Sequence, residues 1–251
     1  MVNGLIEEED LNFFLYDWLN IEEILIGSES DLDRETVDAF LNLSHMLAKD
    51  HFLPHYKKTD QNEPYLHNGQ VRVLKDISDA LDKYAELGMF AASFPEKYGG
   101  MGFPNIVANT AYTILAAANG ATIGYSLLTV ANARLIAKFG NEAQIEEFAV
   151  PQIKGEWFGT MCLSEPQAGS GLGDIKTKAT FEGQDALGDC YKLKGNKMWI
   201  SGGDQDISEN IVHLVLAKVP NVDGDLMEGT SGISLFIVPK NYYTKNMTKS
   251  I

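Results

Sequence analysis

Two cysteines in 251 residues, Cys162 and Cys190, are too few for a disulfide framework and have no metal-ligand spacing. They fit a reducing, cytoplasmic setting in which both serve as core or strand residues. Basic residues are scarce as well: 20 Lys and Arg stand against 35 Asp and Glu, a net charge of −15. No basic face exists to release counterions from a phosphate backbone, which argues against a nucleic-acid binder, and the same balance disfavours an anionic membrane surface. The N-terminus opens with Glu7, Glu8, Glu9 and Asp10, unlike the basic-then-apolar order of a secretory signal or the arginine-rich character of a transit peptide. No apolar run reaches the roughly 20 residues that span a bilayer. What is present, 45% hydrophobic and 22% charged residues, suffices for a buried core in one large or two ordinary domains.

The chain changes character near its middle. Up to about residue 155 the apolar spacing is helical: Leu11, Phe14, Leu15, Trp18 and Leu25, then Val37, Phe40, Leu41, Ser44, Leu47 and Ala48, then Leu74, Ile77, Leu81 and Tyr84. Breakers at Gly27 to Ser30, Pro54 to Gly69 and Phe94 to Gly102 separate these stripes, the last as a tight, glycine-permitted loop. Two alanine-rich helices are expected from Pro104 to Asn119 and from Thr122 to Phe139. Asn141 and Gln144 have the spacing of a capping pair for a final helix that reaches Ile153, with Pro151 ending or bending it.

After Gly155 the period shortens and glycines multiply. Strands are expected at Trp157 to Leu163, Lys176 to Phe181, Tyr191 to Lys194, Lys197 to Ser201, Ile211 to Val219 and Ile233 to Val238. Helices first and strands second predict an α+β fold: a helical domain over 1–155, an antiparallel β domain over 156–240 and a tail over 241–251.

Two segments carry chemistry. A conjugated ring that accepts electrons develops negative charge along its polar edge, so a protein that binds one must hold fixed donors there. A strand entering a glycine-containing turn can supply them, here through Leu163, Ser164 and Ser170, with Pro166 restricting the turn and Gly169 freeing it. Trp199 can cover a ring face and Ser201 can offer a hydroxyl beside it. The same residues equally suit an ordinary β-turn and an ordinary core aromatic. Gly169 to Gly173 superficially matches a dinucleotide fingerprint, but a strand-like segment follows where that fingerprint needs a helix. Asp204, Asp206 and Glu209 lack calcium-loop spacing and read as a solvated loop. His45, His51, His55 and His67 have no second ligand set, and His213 reads as a packed strand residue, so no metal site is expected.

Met161-Cys162-Leu163-Ser164-Glu165-Pro166-Gln167-Ala168-Gly169-Ser170 and Gly195-Asn196-Lys197-Met198-Trp199-Ile200-Ser201-Gly202-Gly203 resemble, in order and separation, the two flavin-contacting segments of acyl-CoA dehydrogenases. Phe94-Pro95-Glu96-Lys97-Tyr98-Gly99-Gly100 is similar to that family's helical-domain loop. The stretches from Asp206 to Ala217 and from Gly229 to Lys240 resemble the branch that includes 3-methylmercaptopropionyl-CoA dehydrogenases.

The resemblance implies an FAD cofactor bordered by Met161, Leu163, Ser164, Ser170, Trp199, Ile200 and Ser201, with Ser170 also touching the acyl-CoA substrate. It implies an incomplete β-barrel, an electron-transfer flavoprotein or similar acceptor, and a homo-oligomeric full-length parent. Gly171 departs from the aspartate usual in the Gly-Ser-Asp triplet, and Asp174 is the candidate for a displaced carboxylate. The family's catalytic glutamate comes from a C-terminal helical domain. None of Glu165, Glu182, Glu209 or Glu228 aligns with it, so no catalytic residue is assigned, and Glu165 is expected to serve the turn. The tail from Asn241 reads as a truncation, an artificial end or a shifted frame. Two functions follow as expectations: part of a flavin-dependent acyl-CoA dehydrogenase that is inactive alone, or a noncatalytic acyl-CoA-binding or oligomerisation module.

Overall fold

The computed structural model describes residues 6–26, 32–244 and 247–250. The expected breaker at Gly27 to Ser30 lies outside them. The chain forms two compact units: residues 1–127 with 153–155 and 205–207, and residues 128–152, 156–204 and 208–251. The helices in chain order are α1 (Glu8–Asn12), α2 (Ile21–Ile26), α3 (Arg34–Leu47), α4 (Tyr56–Gln61), α5 (Lys75–Glu86), α6 (Asn105–Phe139), α7 (Glu142–Gln144) and α8 (Val150–Ile153).

The first unit is helical because its stripes find a common interior. All six residues of the Val37 to Ala48 stripe are buried, as are Ile77, Leu81 and Tyr84 of α5. Asp33 caps α3, its carboxylate accepting the Thr36 amide at 2.8 Å. The first stripe needs correction. Leu15 and Leu25 are buried, but Phe14 and Trp18 are exposed, and Ile21 takes the interior position instead. A π-helical turn over Phe13–Trp18 advances the helix phase, so spacing counted at 3.6 residues per turn misplaces these rings.

By length and composition α6 could cross a membrane. It is nevertheless two helices, broken at Asn119, whose φ of −160° is extended. Asn119 is buried and caps the second half, its Oδ1 accepting the Thr122 amide at 3.2 Å while its Nδ2 donates to the Phe52 carbonyl at 3.2 Å. Thr122 in turn meets His55 Nε2 through its hydroxyl at 2.9 Å. Asn119→Ala removes a cap and strands a buried carbonyl, so it is expected to cost roughly 2 kcal/mol, read as a lower urea midpoint with unchanged slope.

Two small antiparallel pairs are separate from the main sheet: β1 (Tyr65–His67) with β2 (Gln70–Arg72), and β8 (Asn241–Thr244) with β9 (Met247–Ser250). The main sheet holds β3 (Phe158–Cys162), β4 (Lys178–Asp185), β5 (Gly188–Lys194), β6 (Ile211–Lys218) and β7 (Ile233–Pro239). β4–β5 and β6–β7 are antiparallel as expected, but β3 runs parallel to β6, Phe158 opposite Ile211. The sheet is therefore mixed and open, an incomplete barrel. Parallel neighbours need a long connection, and the functional turns lie within the 48 residues that separate Cys162 from Ile211.

Polar side chains of α6 fasten this sheet. Asn132 Nδ2 donates to the carbonyls of Thr160 and Val212 at 2.9 and 2.8 Å, and Thr129 accepts the Gly159 amide at 3.1 Å. Gly159 is required for this approach, since a Cβ there would lie 2.1 Å from Gln152 Oε1. The predicted capping pair forms as well: Asn141 accepts the Gln144 amide at 2.8 Å and Gln144 accepts the Asn141 amide at 3.1 Å. The helical run then continues through a π-turn, Ile145–Ala149, into α8, which carries Pro151.

Candidate functional site

The two segments singled out in the sequence lie side by side in the second unit. Ser164 follows β3, and its carbonyl accepts the Met198 amide at 3.0 Å. Lys197 Nζ donates to the Leu163 carbonyl at 3.0 Å and to Glu165 Oε1 at 2.8 Å. Three bonds thus stitch 163–165 to 197–198.

Glu165 is the hub. Its carboxylate is buried and accepts from the Lys176 amide at 2.7 Å, the Thr177 amide at 3.1 Å, the Thr177 hydroxyl at 2.5 Å and Gln167 Nε2 at 2.8 Å, besides Lys197. Burial alone would raise its pKa. The Lys197 ammonium, the Thr177 hydroxyl and the two amides outweigh it and hold the carboxyl down at about 2. A group so saturated with donors stays ionised and has no free lone pair directed at a substrate. Glu165 also closes the expected turn, exchanging backbone bonds with Ala168 at 2.7 and 3.0 Å. Its carboxylate and backbone are both engaged in holding the turn.

Trp199 is no core aromatic. It is 75% exposed and its φ is +56°, a left-handed backbone that a bulky side chain adopts only under constraint. Strain of this kind concentrates at functional sites. The expected strand from Lys197 to Ser201 does not form, because that angle turns the chain away from an extended path. A turn replaces it, closed by the Gly203 amide on the Ile200 carbonyl at 3.1 Å.

The remaining candidates lie around this seam. Met161 in β3, Leu163 and Ser164 just beyond it, and Ile200 are half-buried. Ser170 and Ser201 are exposed. Ser170 sits at the far end of the turn, its carbonyl accepting the Leu172 amide at 3.1 Å. At Gly171 a side chain's Cβ would stand 3.3 Å from Asp174 Oδ2, so the Asp174 carboxylate lies beside the position where the usual aspartate would begin. A 3-10 turn, Leu172–Asp174, follows the glycines, and no helix N-terminus faces them.

Sequence reasoning missed Lys197 and Thr177. A lysine directly preceding the apolar run Met198-Trp199-Ile200 was the available signal for the first. For the second the signal was Gly195, which reads as a turn glycine but is needed for contact, since a Cβ there would lie 2.1 Å from Thr177 Oγ1. Asp204, Asp206 and Glu209 are exposed, as expected of a solvated loop, and Asp206 also accepts the Val73 amide and Arg72 at 3.0 Å each, closing the β2 end.

Both parts of the chain are similar to known proteins. Residues 34–156 match the model of the acyl-CoA dehydrogenase N-terminal domain, and residues 160–248 match that of the acyl-CoA dehydrogenase middle domain, past Lys240. The 3-methylmercaptopropionyl-CoA dehydrogenase of Ruegeria pomeroyi is 34% identical over 229 residues, which cover 90% of this chain and 37% of that protein. The structure of butyryl-CoA dehydrogenase from Megasphaera elsdenii aligns with a TM-score of 0.62 at 29% identity, over 84% of this chain and 49% of that one. That of an acyl-CoA dehydrogenase from Bacillus anthracis, complexed with FAD, aligns with a TM-score of 0.64 at 26% identity, over 86% of this chain and 32% of that one. The chain spans about two fifths of the length of the curated relatives it matches.

Proposed function

The chain belongs to the acyl-CoA dehydrogenase family, and from that premise we propose that its second unit forms one wall of an FAD site for α,β-dehydrogenation of an acyl-CoA thioester. The observation that carries this reading is the seam: Met198 bonded to Ser164, Lys197 bonded to Leu163 and Glu165, and an exposed, backbone-constrained Trp199 beside them.

The residues present fit the cofactor. A flat conjugated ring with a polar edge needs short donors along one side and cover over one face. Leu163 and Ser164 at the strand exit, with Ser170 and Ser201, would serve the edge, and Trp199, Met161 and Ile200 the face. Bound there, FAD would accept the substrate's β hydride. The chain's own contribution is to orient and exclude: Glu165 and Lys197 neutralise each other and lock the wall, and Ser170 would also touch the acyl-CoA. The reaction also requires a base for the α proton. Glu165 is sequestered, so the base is proposed to come from another chain segment or subunit, and the chain alone is proposed to be inactive. Electron-transfer flavoprotein or a similar acceptor, a homo-oligomeric parent and a cytoplasmic setting complete the proposal. The last is supported by two cysteines that remain free thiols.

Purified chain titrated with FAD is expected to quench and shift flavin fluorescence, with no dye reduction when acyl-CoA is added. Turnover without any added polypeptide would overturn the missing base. Absence of flavin binding, even after a relative's C-terminal domain is supplied, would overturn the site. The noncatalytic-module reading then remains.

A further inference from the structure

The first 33 residues hold ten acidic side chains and no Lys, Arg or His, so two thirds of the net charge is concentrated in this segment. Among the described residues there, Glu7 to Asp10, Asp17, Glu22 and Glu23 are all exposed. Within this acidic field lies an apolar cluster facing water. Phe13, Phe14 and Trp18 are 52%, 47% and 67% exposed. They stack on one another: Phe14 lies 5.4 Å from Trp18, nearly parallel, and Phe13 meets Phe14 edge-on at 5.6 Å. The segment is seated by other residues, Leu15, Ile21 and Leu25, which are buried. The aromatic rings are therefore not needed to hold it in place.

We propose that the Phe13–Phe14–Trp18 cluster is a docking surface for a basic, apolar-faced helical segment of another polypeptide. Clustered, pre-packed aromatics are the residue type that dominates interface energies, because they bury large area at low entropy cost. Charge complementarity selects the occupant. A second copy of this chain would bring ten further acidic residues to the same place, and an anionic bilayer would be repelled likewise. A Lys- and Arg-bearing helix meets the rim with opposite charge, and its cations can lie over the indole face. The surface precedes residue 34, where the match to the N-terminal-domain model begins, and includes no residue of the proposed flavin wall.

The test uses a synthetic amphipathic Lys/Leu helix as probe, with binding followed by Trp emission and calorimetry at low and physiological salt. Micromolar binding that weakens with salt is expected, and it should fall at least about tenfold in F13S/F14S/W18S, which keeps every acidic residue. Trp18→Gln alone should show part of the loss and guards against a fold defect in the triple variant. A second probe with Leu replaced by Ser, which leaves the protein untouched, should bind equally poorly. Equal binding of the Lys/Leu helix to native and triple-variant chain would overturn the proposal, because net charge alone would then explain it. So would a dimer in sedimentation that F13S/F14S/W18S abolishes, or capture by phosphatidylserine vesicles through these same rings.

Discussion

Gly100→Ala is expected to destabilise the first unit by roughly 3 kcal/mol, whereas Gly99→Ala next to it costs only about 1 kcal/mol. The two glycines answer different demands. Gly99 has φ of +80° and open space where a Cβ would stand, so alanine there incurs only left-handed backbone strain. At Gly100 a Cβ would lie 1.8 Å from the Phe94 carbonyl oxygen and 2.2 Å from its carbon, and main chain cannot rotate aside as a side chain can. The loop has little slack, because the Gly100 amide bonds the Pro95 carbonyl at 3.1 Å and the Gly102 amide bonds the Phe94 carbonyl at 2.9 Å. Met101 and Phe103 also donate their amides to Ala91 and Ala92. Relief of the clash must break several of these bonds together. Thermal melting should drop on the order of 10 °C for Gly100→Ala and a few degrees for Gly99→Ala. Equal small losses would show that the loop can yield.

That loop was legible in the sequence because its signal is local: proline, then tyrosine, then paired glycines, each restricting or freeing one backbone position. The same holds for the Asn141–Gln144 cap and for the Val37 to Ala48 stripe, where regular spacing translates directly into one buried face. Legibility failed where a long-range bond or a change of helix type intervened. The Phe13–Trp18 π-turn moved two rings from core to solvent without altering their spacing in sequence. The parallel pairing of β3 with β6 depends on residues 53 positions apart and leaves no local mark. At the candidate site the strand exit at Leu163 and Ser164 was readable, whereas the left-handed turn at Trp199 was not. What fixes them was not, because a lysine and a threonine look the same in sequence whether they face water or a buried carboxylate. Their partner Glu165 lies 32 residues from one and 12 from the other.

Lys197→Met is the complementary test of the site, with an expected loss of roughly 3 kcal/mol because it leaves a buried carboxylate without its cation. The side chains of Lys197 and Glu165 are only 12% and 3% exposed, so water cannot take over the lost interaction. Glu165→Gln should also destabilise, by stranding the ammonium. The double variant should recover part of the sum, a coupling that marks the pair itself and not two separate packing defects. Acid dependence gives a second signature. The Glu165 carboxyl is held at about 2 in the fold against an ordinary value of 4.5. As pH falls below 4.5 the unfolded chain takes up this proton while the native chain does not, so stability must fall with it. The contribution is complete above pH 4.5, declines across the window and is gone below about 2. Lys197→Met raises the native pKa toward the unfolded value, so its stability should fall less steeply between those limits than that of the native chain. Denaturant midpoints taken from pH 7 to the acid limit read this difference directly. Parallel slopes would mean that Lys197 does not hold Glu165 ionised. Because the same ammonium bonds the Leu163 carbonyl, Lys197→Met should also free the turn that carries Trp199, seen as faster amide exchange at Met198. Loss of stability with Met198 still protected would confine Lys197 to packing and leave the proposed flavin wall held by the Ser164 carbonyl alone.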